Sequence, residues 1–392
     1  MKIKIHNIVR GALIIFILTF SNYAFALNSS AYLVVNTAIK LFDFDKANDQ
    51  FDLLEINLNE SDLHNKLLTY VNLKFIFKAS SVAEKIISIK ESNQEAWIVY
   101  LTNAIITNDL SALELFKKIK NKSEMDLTNY IFFNPLGDLK DNNLISRSIF
   151  ELVQASISEN KNNTNYEFLL FYLSIANILD PNFSEAYFYT AQIYQILESY
   201  SKAEFFYNKI PSNHNLFIDS QKNIANNKSK MGLQNEGINL LRDLISRDEK
   251  NLSLIVSLAD LYRTQKNYRE AIKFYSKIIS LKNNLFNEYW RIFYLRGICY
   301  ERIQNWELAE KDFLFSLEIK SNSPEVLNYL AYGWLERSVY LERATNMLKE
   351  AYQANSDSYF IADSLAWAFF KNNKLTKAAD LMEKVIVMAP GE

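Results

Sequence analysis

Chemistry near neutral pH draws first on histidine and cysteine, and the chain has three of the first and one of the second. The single Cys299 excludes an intrachain disulfide and any cysteine-based zinc site. His64 stands among Asp62, Asn65 and Lys66, and His214 in the polar run Ser212-Asn213-His214-Asn215. Both read as solvated surface residues rather than as a base or a metal ligand. Cys299, between Ile298 and Tyr300, reads as a small buried apolar residue. No GxxxxGK(S/T) phosphate loop occurs, nor any GxGxxG, GxSxG, HExxH or CxxC. Carboxylates are numerous, as on any helical surface. Glu307 and Glu310, with Lys311 beside them, read as an exposed helix face. The expectation is a protein that is not an enzyme, with no catalytic residue, cofactor or metal; an enzyme with an unrecognised site is the alternative.

The abundant residues point to architecture instead. Of 392 residues, 49% are hydrophobic, 22% charged and 14% aromatic, against seven Gly and five Pro. That balance excludes a disordered or collagen-like chain. So few turn-forming residues argue for few tight turns, against a many-stranded β protein and for long helices.

The N-terminus carries an address. Lys2, Lys4 and Arg10 precede the apolar run Ala12–Phe20, and Ala24-Phe25-Ala26 places small residues before a cut between Ala26 and Leu27. Residues 1–26 read as a secretory signal peptide. The apolar run is too short for a spanning helix, which needs about 20 residues. The expected location is outside the cytoplasm, in a periplasm or secreted, with no stable membrane insertion after cleavage. The alternative is a structural membrane-surface protein anchored by an uncleaved signal. Removing residues 1–26 takes three basic and no acidic residues and lowers the formal charge from −2 to −5. A mildly acidic chain without a basic block does not predict nucleic-acid binding.

Helical elements recur at a fixed interval. Ala191, Ala225 and Ala259 are 34 residues apart, each followed three residues later by Tyr194, Lys228 and Tyr262. Twelve residues after each alanine stands a second small residue (Ala203, Gly237, Ala271), and four further on a bulky one (Tyr207, Leu241, Tyr275). The frame continues through Gly297, Tyr300, Ala309 and Phe313, then Ala331, Trp334, Ala344 and Leu348, then Ala366, Phe369, Ala378 and Met382. Small residues suit the crossing of two antiparallel helices, where backbones approach. Large ones fill the gap to the next pair. One pair cannot bury its own apolar face, so pairs must stack on neighbours.

This series, with the helix-ending signals Leu179-Asp180-Pro181-Asn182 and Ala389-Pro390, resembles the tetratricopeptide repeat (TPR) family. The resemblance implies an all-α, right-handed α-solenoid of stacked antiparallel helix pairs. It places an array over 150–392, with units 150–183, 184–217, 218–251, 252–289, 290–323, 324–358 and 359–392. The stretch 27–120 resembles three weaker units, carried by Ala47 with Phe51 and Leu54, Ala83 with Ile87, and Trp97 with Ala112 and Phe116. Residues 121–149 break the pattern and read as an irregular boundary. The last two units, through Leu327-Asn328-Tyr329-Leu330-Ala331-Tyr332-Gly333-Trp334 and Ala362-Asp363-Ser364-Leu365-Ala366-Trp367-Ala368, resemble the C-terminal repeats of exported repeat proteins of Gram-negative bacteria. The final helix, Leu375 to Met388, reads as too apolar all round for a solvated cap. Self-association through the C-terminal repeat, or descent from a longer relative, would account for it.

In this family the first helices of successive units line a groove that holds a peptide, which makes proteins or peptides the expected partners and a scaffold or adaptor in envelope assembly or proteolysis the expected function. Carried over unit by unit, the groove positions include Phe188, Gln192 and Gln195, then Lys222, Asn226 and Lys230, then Asp260 and Arg263, then Arg291, Tyr294, Glu301 and Arg302, then Asn328, Tyr332, Asp363, Trp367 and Phe370. Lys222 and Asn226 match the first half of the family's clamp for a peptide C-terminal carboxylate. Ser257 stands where that clamp has Asn and Arg291 matches only in part, so the clamp is incomplete.

Overall fold

Caps in the sequence set where helices start. Asn93, Asn165, Asn251 and Asn305 each accept a hydrogen bond from a backbone N–H three residues on, and Asn59 does so within a capping box completed by Asp62. Pro324 occupies the first position of its helix, where a missing N–H costs nothing. A computed structural model describes residues 30–51, 54, 58–119, 126–133, 138–159, 164–281 and 289–390. The signal segment and the cut at Ala26–Leu27 lie outside them. Among the described residues every regular element is a helix. Two compact units divide at Ser220 and Gln221.

The first unit holds α1 (30–40), α2 (Phe44–Phe51), α3 (Glu60–Asn72), α4 (Ile76–Ile89), α5 (Gln94–Thr107), α6 (Leu110–Ile119), α7 (Asp126–Phe132), α8 (Asn142–Glu159), α9 (Tyr166–Leu179), α10 (Ser184–Ile196) and α11 (Tyr200–Tyr207). Two helices, α7 and the start of α8, occupy the stretch 121–149 that the sequence pattern leaves irregular. Ile145, Ile149 and Val153, one turn apart, supply the buried stripe of α8. α9 is apolar on every face, with every residue from Leu169 to Asn177 buried. Such a helix must be enclosed. It packs on its neighbours α8 and α10 and also on α3 and α5. Stacking here goes beyond sequence neighbours, which a plain solenoid does not do. Ser174 Oγ donates to Asn72 Oδ1 at 3.2 Å, and the Lys74 amine donates to the Tyr187 hydroxyl at 3.1 Å.

α12 (Phe217–Lys230) carries the chain into the second unit, which continues with α13 (Gln234–Arg247), α14 (Leu252–Thr264), α15 (Tyr268–Leu281), α16 (Trp290–Arg302), α17 (Trp306–Ile319), α18 (Pro324–Glu336), α19 (Leu341–Ala354), α20 (Tyr359–Lys371) and α21 (Leu375–Met388). From α13 onward each helix packs on the next, and α18 also meets α20. This is the stacked antiparallel pairing of an all-α solenoid. Ala259, Ala271, Ala309, Ala331 and Ala344 are fully buried at the crossings, as are the bulky Tyr275, Phe313 and Leu348. At Gly237 the approach is closest: an added Cβ would lie 2.5 Å from the Ala225 carbonyl oxygen. Arg296 forks onto Asp312 with two hydrogen bonds of 2.8 Å and reaches Ser276 Oγ at 2.9 Å, joining α16, α17 and α15.

The scarcity of glycine does not mean a scarcity of tight turns. Glu198, Lys266, Gln304, Ser338 and Asn373 close hairpins in the left-handed region, with φ between 54° and 63°; Gly232 does so with φ 81°. The N–H after each of them donates to the carbonyl five residues upstream of the turn residue's own successor, on Tyr194, Tyr262, Tyr300, Trp334, Phe369 and, at Gly232, Lys228. These acceptors are the residues that follow each small residue of the frame by three. The turn is a Schellman closure built mostly without glycine. In the last pair Met382, in register with Tyr275 and Phe313, is exposed, and Val387 is 80% exposed. Among the described residues no helix covers that side of α21.

Candidate functional site

The first helices α16, α18 and α20, with the second helix α21, line an open cavity of about 670 Å³. α18 supplies a stripe: Glu325, Tyr329, Tyr332 and Glu336 recur at four, three and four residues and so share one face. The first three line the cavity. Tyr294 of α16 meets Tyr329 edge to face, with ring centres 5.5 Å apart. Phe360 and Asp363 enter from α20, and Met382 and Ile386 from α21.

Charge is distributed unevenly across this surface. Burial pushes the Tyr332 hydroxyl up, and so do Glu336, Asp363 and Glu301. Burial also holds the Asp363 carboxyl above the usual range. The Tyr294 hydroxyl is pushed up by burial, Tyr329 and Glu325 and pulled back by Arg263 and Arg291. Arg302 Nε stands 3.5 Å from Glu301 Oε2. Acidic groups therefore surround Tyr332, while arginines act on Tyr294.

Neighbours along this surface are offset from the repeat. Trp367 Nε1 donates to Glu336 Oε1 at 2.9 Å, and the Lys222 amine donates to Ser253 Oγ at 2.8 Å. Both pairs are 31 residues apart, about one helical turn short of the repeat. Glu301, Tyr332 and Asp363 follow the same interval.

Of the positions carried over from the family, Tyr294, Arg302, Asn328, Tyr332 and Asp363 come together on the cavity. Arg263 and Arg291 lie close enough to act on Tyr294. Arg263 Nε also donates to the Tyr275 hydroxyl at 3.3 Å, which donates to Asp260 Oδ1 at 2.5 Å, so its guanidinium is anchored within the stack. Trp367 stacks on Phe370 with ring centres 5.3 Å apart, off the cavity. Lys222 and Asn226 belong to α12, also off the cavity, and Asn226 is exposed. Phe188 and Gln192 sit on α10 in the first unit, where Phe188 is buried against Tyr207. It fills the core of a helix pair. Sequence reasoning did not select Glu325, Tyr329, Met382 or Ile386. The stripe along α18 carried a signal for the first two.

The histidines and the thiol complete the inventory. His64 Nδ1 lies 3.3 Å from Glu95, and His214 Nε2 lies 3.7 Å from Glu185. Cys299 is fully buried, its thiol pushed up to about 12 by burial. Among the described residues no group of three or more His, Cys, Asp or Glu could hold a metal ion, and no helix is long and apolar enough to cross a membrane. The arrangement offers aromatic surface, fixed charge and an open cavity, which are means of binding.

Residues 252–285, spanning α14 and α15, match the tetratricopeptide repeat family. Residues 252–285 are thus similar to one tetratricopeptide repeat, and the helices that follow continue the same stacked pairing. No curated protein matches the sequence. Among solved structures it is similar to PilF of Pseudomonas aeruginosa, at 17% identity over 53% of this chain and 93% of that one, with a TM-score of 0.45. A tetratricopeptide repeat protein from Parabacteroides merdae is 20% identical over 52% of this chain and 79% of that one, TM-score 0.42. MamA from Desulfovibrio magneticus RS-1 is 15% identical over 43% of this chain and 92% of that one, TM-score 0.38. These likenesses concern the helical repeat and carry nothing about a partner.

Proposed function

We propose that the chain is an exported, non-catalytic scaffold of the cell envelope that holds a peptide segment of a partner protein on the first helices of its second unit. The observation that carries this reading is the cavity of about 670 Å³, walled by aromatic side chains of α16, α18 and α20. Aromatic anchors in a recess beside charged groups are the composition of a binding surface. The charged start, short apolar run and Ala24-Phe25-Ala26 of residues 1–26 support export.

Two experiments test it. A photocrosslinking amino acid placed at Tyr332 in the full chain, in cells, should capture a defined partner that the same group at exposed Glu318 does not. Equal capture from both positions, or none from Tyr332, would refute a binding role for the cavity. N-terminal sequencing of the purified protein should begin at Leu27. A start at Met1 would favour a chain anchored by its uncut signal.

A further inference from the structure

We propose that the cavity of the second unit takes a peptide segment presenting a lysine or arginine beside an apolar side chain; this rests on the peptide-binding reading above and specifies its ligand. The argument is one of charge complementarity inside an aromatic recess. Glu325 and Asp363 line the cavity, and among the described residues neither is in an ion pair. Among the described residues Glu325 accepts only from Ser323 Oγ, at 2.7 Å. Two more carboxylates act on Tyr332: Glu301 from α16, and Glu336 from the next turn of α18 itself. Among the described residues Arg302 is the cation that lines the wall, and it stands beside Glu301, while Arg263 and Arg291 act on Tyr294 from off the cavity.

The walls favour the same ligand. Tyr294, Tyr329, Tyr332 and Phe360 line the recess, and the face of an aromatic ring attracts a cation. Met382 and Ile386 give the recess an apolar side, which suits a neighbouring aliphatic group of the ligand. An acidic segment would meet repulsion from Glu325 and Asp363 and would leave both carboxylates desolvated without a counter-ion. The charge preference is thus opposite to that of the carboxylate clamp suggested by Lys222 and Arg291, neither of which lines this cavity. The full-length ligand is a segment of another protein, because an open recess along stacked helices accommodates an extended chain.

The test uses the full chain and three fluorescein-labelled peptides of equal length, alternating Leu with Lys, Leu with Gln, or Leu with Glu. Binding is read by fluorescence anisotropy at physiological salt. The Leu–Lys peptide should bind roughly tenfold or more tightly than the Leu–Gln peptide, with the Leu–Glu peptide weakest. The double variant E325Q/D363N should abolish that preference. The double variant E307Q/E318Q, which removes the same charge from the outer face of α17, should keep it. Circular dichroism checks that both variants remain folded. Equal binding of all three peptides, no binding, or a preference surviving E325Q/D363N would overturn the proposal. So would a dimer that I386E dissociates with a gain in peptide binding, because a second copy would then be the occupant. A partner segment captured from Tyr332 that lacks Lys and Arg would overturn the cation preference and leave peptide binding standing. Absence of any capture would remove the peptide-binding reading itself.

Discussion

Asn227 is fully buried in α12, and among the described residues neither its Oδ1 nor its Nδ2 has a hydrogen-bond partner. At the corresponding place in other units, two residues after the small residue of the frame, stand Ile193, Leu261 and Cys299, all buried. An amide therefore occupies an apolar position. Each unsatisfied buried polar group costs about 1–3 kcal/mol. Leu has nearly the shape of Asn, with two methyl groups where Asn has its oxygen and nitrogen, so Asn227→Leu removes both groups at little cost in packing. Leu also favours the helix by a few tenths of a kcal/mol. The expected gain is about 2–4 kcal/mol in the second unit, or a rise of several degrees in its melting temperature. Urea unfolding followed by far-UV circular dichroism measures it, with Asn226→Leu as the control, since Asn226 is exposed and its replacement should change stability by less than about 0.5 kcal/mol. An Asn227→Leu protein no more stable than the natural one would refute the reasoning. It would mean that the amide finds a partner, such as an enclosed water, whose loss cancels the gain.

Gly237→Ala should destabilise by roughly 2–3 kcal/mol although Ala fills the equivalent places at 203, 271, 309 and 344. The added Cβ would meet the Ala225 carbonyl oxygen at 2.5 Å, a clash that outweighs the ~1 kcal/mol gain in helix propensity; unchanged urea stability would count against so close a crossing. Lys266→Gly relieves a left-handed turn at φ 61° and should stabilise by about 0.5–1 kcal/mol, whereas a loss would show that the turn carries no strain. Arg296→Met strands the buried Asp312 and should cost about 3–5 kcal/mol, most of it recovered in the double variant Arg296→Met/Asp312→Leu; failure of that rescue in urea unfolding would show that the fork itself, not the stranded charge, is what matters. Burial, and then Lys209, lower the Lys74 pKa to about 8 from its ordinary 10.5. Between those values the unfolded chain holds the proton and the folded chain has released it, so the first unit should gain stability as pH rises from about 8 towards 10.5. Lys74→Met should flatten that slope in pH-dependent urea titrations, and an unaltered slope would sink the assignment.

The helix pairs were legible because their constraint is local. A small residue at a crossing and a bulky one four places on leave a mark in any stretch that must pack this way, as Ala259, Ala271 and Tyr275 show. The turns left no such mark. Glu198, Lys266 and Gln304 adopt positive φ because two packed helices hold them there, and nothing in their side chains announces it. The enclosure of α9 was half legible: fourteen residues so apolar must be surrounded, yet only the folded chain shows that α3 and α5 do the surrounding.

The candidate site divides in the same way, for a geometric reason. Tyr294 and Arg302 on α16 and Tyr332 on α18 follow from carrying the family's groove positions from one first helix to the next. The partners of each residue do not follow from the 34-residue frame. Side chains on packed helices interlock along inclined ridges, so a residue meets the next first helix about one turn earlier than the repeat length implies. Glu336 with Trp367 and Lys222 with Ser253, each 31 residues apart, record that offset as hydrogen bonds. Searching at 34 separates Glu301, Tyr332 and Asp363 into unrelated residues. Searching at 31 aligns them, and two carboxylates then flank one tyrosine before any coordinate is known. Met382 and Ile386 would still escape, because they reach the cavity from a second helix that only the fold places there. The sign of the charge at this site is therefore set by the offset between stacked helices and not by the composition of any single repeat.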